Sequence, residues 1–212
     1  MPDVPDPEKP RRDFLLAMYG QLMNDINRHI IVIWQSVGVL FGAFAVFALV
    51  EKNVISLDVA TSLILMLCTW VIAHVYDAGY WYNRNLVIIA NIERQFLLQS
   101  DLRDIHYYFG RHRKTGALIT HLEIQLSLAV GVALLVLATH FITVMLPVWQ
   151  KTKVGTALIY LPWVVAIIGI GFWAAAKRKA SDRYKTFLNN SPGKAIDDSG
   201  INHGPGHPID VK

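Results

Sequence analysis

Residues 124–150 read IQLSLAVGVALLVLATHFITVMLPVWQ, a run without Asp, Glu, Lys or Arg. A hydrocarbon layer about 30 Å thick is crossed by about 20 apolar residues rising 1.5 Å each, so this run suffices for one helical crossing. Three further charge-free runs, 30–50, 59–76 and 154–176, repeat the pattern. None alternates as barrel strands do, and in lipid only helices or closed barrels satisfy every backbone group. The expected fold is therefore all-α: a polytopic membrane protein with four transmembrane helices.

Lys and Arg give the orientation. Seventeen of the 20 fall in the N-terminal arm, the connection between the second and third runs, and the C-terminal tail. The other side holds only Lys52, Lys151 and Lys153. By the positive-inside rule both termini and the central connection are cytoplasmic. Trp149, Tyr160, Trp163, Trp173, Tyr80 and Trp81 sit near span ends, where interfacial anchors are expected. The net charge of +4 restates the same bias and is matched by contact with anionic lipid. Cys68 is the sole cysteine, which excludes a disulfide framework and a cysteine-based metal site. Residues 1–9 are acidic and proline-rich with no apolar centre, unlike a cleaved signal peptide.

The expected organisation is a cytoplasmic arm (1–28), a four-span domain (29–176) with a cytoplasmic helical insertion (77–121), and a basic, largely disordered tail (177–212). Leu15, Tyr19, Leu22 and Ile26 recur at helical spacing, which predicts one helix from about residue 12 to 50. Beyond Gly79 no Gly or Pro interrupts the second helix before about residue 98, and Ser100 and Asp101 supply a capping signal for a short helix ending at Gly110. The apolar groups at 86–90, Ile92 and 96–98 would otherwise stand in water, so this cytoplasmic layer packs on itself or on neighbouring subunits.

Polar residues within spans are costly, which makes their arrangement informative. On the second span Asp58, Ser62, Thr69, Ala73 and Asp77 share one face; on the third Thr120, Glu123, Ser127, Gly131 and Ala138 do; on the first Arg28, Gln35, Gly38 and Gly42 do. Small residues at such spacing serve helix packing. The alternative is an aqueous pathway in an oligomer, with Asp58, Ser62, Thr69, Asp77, Glu123 and Ser127 as candidate pore-lining residues and acidic rings favouring cations. Arg84, Arg94, Arg103, Tyr107, Arg111, His112, Arg113 and Lys114 mix basic and aromatic chemistry suited to phosphates and stacked bases. An ordinary interfacial belt has the same composition. His29, His74 and His121 fall near the cytoplasmic ends of three spans, so axial ligation of haem b is an alternative, and a non-catalytic membrane scaffold or assembly factor is another. Hydrolase, zinc and phosphate-loop signatures are missing, and the expectation is a non-enzyme without cofactor or metal.

The segments DAGYWYNRNL (77–86) and IERQFL (92–97) resemble small bacterial membrane effectors of anti-phage conflict systems, the membrane partner of the Hailong type above all, over roughly residues 18–121. The resemblance implies an oligomeric ion channel, multi-pass in the bacterial inner membrane, controlled by a product of a partner nucleotidyltransferase; a homo-tetramer is one candidate assembly. In the Hailong type that product is a short single-stranded DNA oligomer, so a nucleotide or DNA oligomer is the expected ligand. Those conflict-system effectors commonly have two spans, whereas four are expected here.

Overall fold

The computed structural model describes residues 7–98, 100–101, 118–150 and 154–191, and these are helical with short connections. Helix α1 (Lys9–Gly42) passes through a tight 3-10 turn (Ala43–Ala45) into α2 (Val46–Glu51). After a short turn comes α3 (Leu57–Phe96), then α4 (Thr120–His140), a π-helical turn (Phe141–Met145), α5 (Leu146–Trp149), a 3-10 turn (Ala157–Tyr160) and α6 (Leu161–Asn190). Four continuous helical stretches, Lys9–Glu51, Leu57–Phe96, Thr120–Trp149 and Ala157–Asn190, are each long and apolar enough to cross a membrane. Among the described residues there is no strand. The expected all-α class stands, with four helices of spanning length and apolarity.

Local chemistry accounts for the element ends. The α2 C-terminus closes with Val54 N–H donating to Leu49 C=O and Asn53 N–H to Val50 C=O, both at 2.9 Å. This double bond pattern needs a left-handed residue, and Asn53 takes φ 55° there, as Asn does more readily than other non-glycine residues. Ser56 then caps α3 by accepting from Val59 N–H at 3.3 Å. The π-helical turn precedes Pro147, whose ring would collide with the carbonyl four residues back in a regular α-helix. Helix α3 holds 40 residues and is therefore about 60 Å long, twice the hydrocarbon thickness. Helix α6 continues beyond the charge-free run to Asn190, because Ala, Lys and Arg at 174–180 are strong helix formers and no Gly or Pro follows before residue 190.

Two compact units divide the described chain. One gathers segments of residues 30–79 and 118–182. Its core is Ile33 and Leu40 from α1, Ile64, Cys68, Val71 and Val75 from α3, and Leu122, Ala129, Val132 and Val136 from α4. The outer faces stay apolar and exposed, with Ile31 and Trp34 on α1, Leu134 and Leu135 on α4, and Ile167 and Ile170 on α6. That inversion fits a lipid-facing surface, where close packing and interhelical hydrogen bonds hold helices together because lipid tails are as apolar as the core.

The other unit takes residues 1–29, 80–117 and 183–212. Here Leu22 and Ile26 of α1 are buried together with Leu86, Ile89, Ala90 and Ile92 of α3 and Tyr184 of α6. Arg11 Nη2 donates to Gln95 Oε1 at 3.1 Å, and Tyr19 to Glu93 at 3.4 Å, pinning α1 to the end of α3. The apolar groups of residues 86–92 thus find the partner that their sequence demands, each buried aliphatic side chain contributing about 2 kcal/mol where water is the alternative.

Candidate functional site

Within the first unit α3 and α6 run side by side and leave a groove of about 530 Å³ between them. Its walls are apolar through Met66, Trp70, Val165, Ile168 and Phe172, while Thr69, His74 and Asp77 supply the polar groups. The close approach beneath it depends on Gly169: a Cβ there would lie 2.6 Å from Thr69 Oγ1. Thr69 cannot easily give way, because its hydroxyl donates to Leu65 C=O at 2.9 Å. One turn further on, Trp173 Nε1–H donates to the Tyr76 hydroxyl at 3.1 Å. His74 sits edge-on to Trp70 with ring centroids 4.6 Å apart, and Asp77 is exposed at one end of the groove.

At the opposite end of α3 the structure pairs two residues distant in sequence. Asp58 Oδ1 lies 2.8 Å from His140 Nε2, with the His140 side chain 0 % and the Asp58 side chain 13 % exposed. The carboxylate accepts, so Nε2 carries the proton and Nδ1 of a neutral ring is an acceptor. That Nδ1 is buried without a hydrogen-bond partner among the described residues, and so is Trp163 Nε1. The two rings stand at 61° with centroids 6.4 Å apart. Ser62, next on the stripe, is buried with its hydroxyl donating to Asp58 C=O at 2.7 Å. Much of the second-span stripe is thus engaged inside the single chain.

The third-span stripe behaves oppositely. Thr120, Glu123, Ser127, Gly131 and Ala138 are all exposed on α4, and Ser127 satisfies its hydroxyl on Glu123 C=O at 2.8 Å. The first-span residues Gln35, Gly38 and Gly42 are exposed too, and a Cβ on either glycine would meet nothing within 4 Å. On its buried face α4 carries Gln125, 1 % exposed, whose amide nitrogen and oxygen both lack partners among the described residues, as does the buried His121 Nε2 one turn before it. Leaving such groups unpaired is costly, so this end of α4 calls for partners beyond the described residues.

In the second unit Trp81 is the centre of a basic and aromatic cluster. His29 stacks on it with centroids 6.1 Å apart and planes within 9°. Arg84 lies 5.0 Å from the Trp81 ring and 5.7 Å from Phe187, and Arg183 lies 4.2 Å from Tyr80 and 6.0 Å from Trp81. Of the candidate ligand residues, Arg84 therefore spends its guanidinium on internal rings and on Asn85 Oδ1, 3.3 Å away, while Arg94 is exposed in the last turn of α3. Arg103, Tyr107, Arg111, His112, Arg113 and Lys114 lie outside the described residues. So does the short helix expected to end at Gly110, although Leu98 N–H donates to Asp101 Oδ2 at 2.8 Å where its start is expected. Of the haem candidates, His29 is on Trp81 and His74 on Trp70. Among the described residues no group of three or more His, Cys, Asp or Glu is placed to hold a metal ion.

Comparison with protein-family models, curated proteins and solved structures finds no match for this chain. Among the described residues the fold is all-helical, with four helices long and apolar enough to span a membrane. His140, Gln125 and Trp163 escape a reading for polar stripes, since each lies on the apolar, inward face of its helix. The available signal was His140 itself, the one histidine lying deep inside a charge-free run, which as an intramembrane ionisable group calls for a partner.

Proposed function

We propose that this chain is a homo-oligomeric membrane channel whose pore is lined by α4, and that an anionic nucleotide or short DNA oligomer at the basic cytoplasmic residues shifts the pore between states. The reading takes both termini and the 77–121 connection as cytoplasmic, and places the protein in the inner membrane of a bacterium as an anti-phage effector working with a nucleotidyltransferase. The observation that carries it is the exposure of Thr120, Glu123, Ser127, Gly131 and Ala138 along one face of α4. Glu123 stands in the first turn of α4, one residue before the charge-free run, and the hydroxyl and small residues behind it form a narrow exposed lane beside Leu134 and Leu135. Assembly of several copies around that lane gives Glu123 water and turns it into an acidic ring at the inner mouth, which favours cations. The second-span stripe has the lesser part: Asp58 is bonded to His140 and Ser62 is buried, leaving Asp77 as its exposed member.

Ligand control requires different contacts in the two pore states, because equal affinity for both would shift neither. The cluster on Trp81 supports such coupling, since α6 supplies Arg183 and Phe187 to it and α3 supplies Tyr80 and Arg84. Single-channel recording of the purified protein in planar bilayers tests the reading, with oligomer size measured in parallel. Ligand-dependent cation current that falls in Glu123→Gln at unchanged oligomer size supports it, whereas a parent protein passing no such current overturns it.

A further inference from the structure

The groove between α3 and α6 has a chemistry that the pore reading does not use. Its length along α3, from Met66 to Asp77, is about 16 Å, and its volume of about 530 Å³ falls within the range of small-molecule sites. Apolar walls occupy most of that length, and the polar groups are graded: Thr69 is tied to its own helix, His74 lies further along, and Asp77 stands exposed at the end. Gly169 keeps the floor open on the α6 side, where any side chain would run into Thr69.

The two helices are parallel neighbours in register, since Gly169 faces Thr69 and Trp173 bonds to Tyr76. Ile168 and Phe172 line the groove, and the helical repeat carries that same face of α6 on to Lys179, which is exposed. Asp77 lines the end of the groove on α3, and by the helical repeat Lys179 falls about two turns beyond Phe172 on the α6 face that lines it, so opposite charges follow the apolar walls on the two helices. A lipid tail alone would need neither; a free cation would need only one.

We infer that this groove is a binding site for one phospholipid whose head group carries a primary ammonium beside its phosphate, of the phosphatidylethanolamine type. One acyl chain lies between Met66 and Phe172, the ammonium meets the Asp77 carboxylate and the phosphate meets Lys179. The ammonium rather than a quaternary amine is specified because a carboxylate holds an N–H donor by charge-assisted hydrogen bonds, which a trimethylated nitrogen cannot make. Charge complementarity at the head and the volume of the trough select this occupant over a helix of a second copy. The inference is independent of ion conduction and stands or falls on the membrane domain alone.

The test uses the full-length protein, extracted and exchanged into mixed vesicles of phosphatidylcholine with either phosphatidylethanolamine or phosphatidylglycerol, with the lipids retained after repurification counted by native mass spectrometry. The wild type should retain phosphatidylethanolamine over phosphatidylcholine by roughly tenfold, the factor that one charge-assisted hydrogen bond supports. Asp77→Asn should bring that ratio near parity at unchanged oligomer size, and Ala73→Trp, which fills the trough, should remove retained lipid of every kind. Equal retention of the three lipids by the wild type, or an undiminished preference in Asp77→Asn, would overturn the site. So would efficient bismaleimide cross-linking of Ile168→Cys between two copies, which would show a second chain in the groove; native Cys68 is buried and gives little background.

Discussion

His140 Nε2 and Asp58 Oδ1 meet at 2.8 Å across 82 residues of sequence, joining the last residue of α4 to the first turn of α3 with the imidazole buried completely. Removing one partner leaves the other buried and unsatisfied, a loss larger than the bond itself contributes. Asp58→Ala is therefore expected to destabilise the protein by about 3 kcal/mol. Asp58→Asn, which keeps an acceptor oxygen, should lose about half as much. Thermal unfolding in detergent followed by fluorescence-detected size exclusion reads the order of the two variants; equal stability of wild type and Asp58→Ala would show the pair to be energetically idle.

Gly169 and Gly171 lie on one helix in very different surroundings. A Cβ at position 169 meets Thr69 Oγ1 at 2.6 Å, while one at 171 meets nothing within 4 Å. Gly169→Ala should cost about 2 kcal/mol through overpacking between α3 and α6, and Gly171→Ala should cost nothing or stabilise slightly through helix propensity. Adding Thr69→Ala to Gly169→Ala should recover most of the loss, a coupling that a double-mutant cycle measures.

Trp81 holds a stacked imidazole and two guanidinium groups. Trp81→Ala should cost about 3 kcal/mol and free α6 residues 183–187 from α3, whereas Trp81→Phe, which keeps a smaller ring face, should cost about 1 kcal/mol. Hydrogen exchange at the α6 amides beyond residue 183 reads the release. Unchanged protection in Trp81→Ala would show that the tail of α6 is held by Tyr184 and the aliphatic core instead.

The proposed topology makes a separate demand. A reporter fused after Lys212, or inserted between Arg111 and Thr115, should report the cytoplasm, and one at Lys151 the outside, because the cationic excess lies on the former side. An outside signal from the insertion would remove the four-span arrangement.

Replacing Arg111, Arg113 and Lys114 together with Ala should abolish the response to an anionic nucleotide ligand at unchanged oligomer size. Raising salt should weaken the parent response in the same direction, since phosphate contacts fall steeply with ionic strength. A triple variant that responds like the parent, or one that dissociates, would move the ligand site away from these residues.

Helix number, type and approximate ends follow from the chain alone, because the rule behind them is local: a charge-free run of sufficient length must be helical in lipid, whatever it packs against. The same locality makes the Ser56 cap and the stop at Asn53 matters of neighbouring residues. What lies across the helices is not local. The face shared by Asp58, Ser62 and Thr69 has the same periodicity as that shared by Glu123, Ser127 and Gly131, and nothing in either pattern says which one turns inward. Only tertiary packing decided it, through a histidine 82 positions from Asp58 and a glycine at 169 that lets α6 close on Thr69. Periodicity gives a helix its faces, but the partner of each face depends on side-chain volumes and bonds contributed by other helices, and these are absent from any one stretch of sequence.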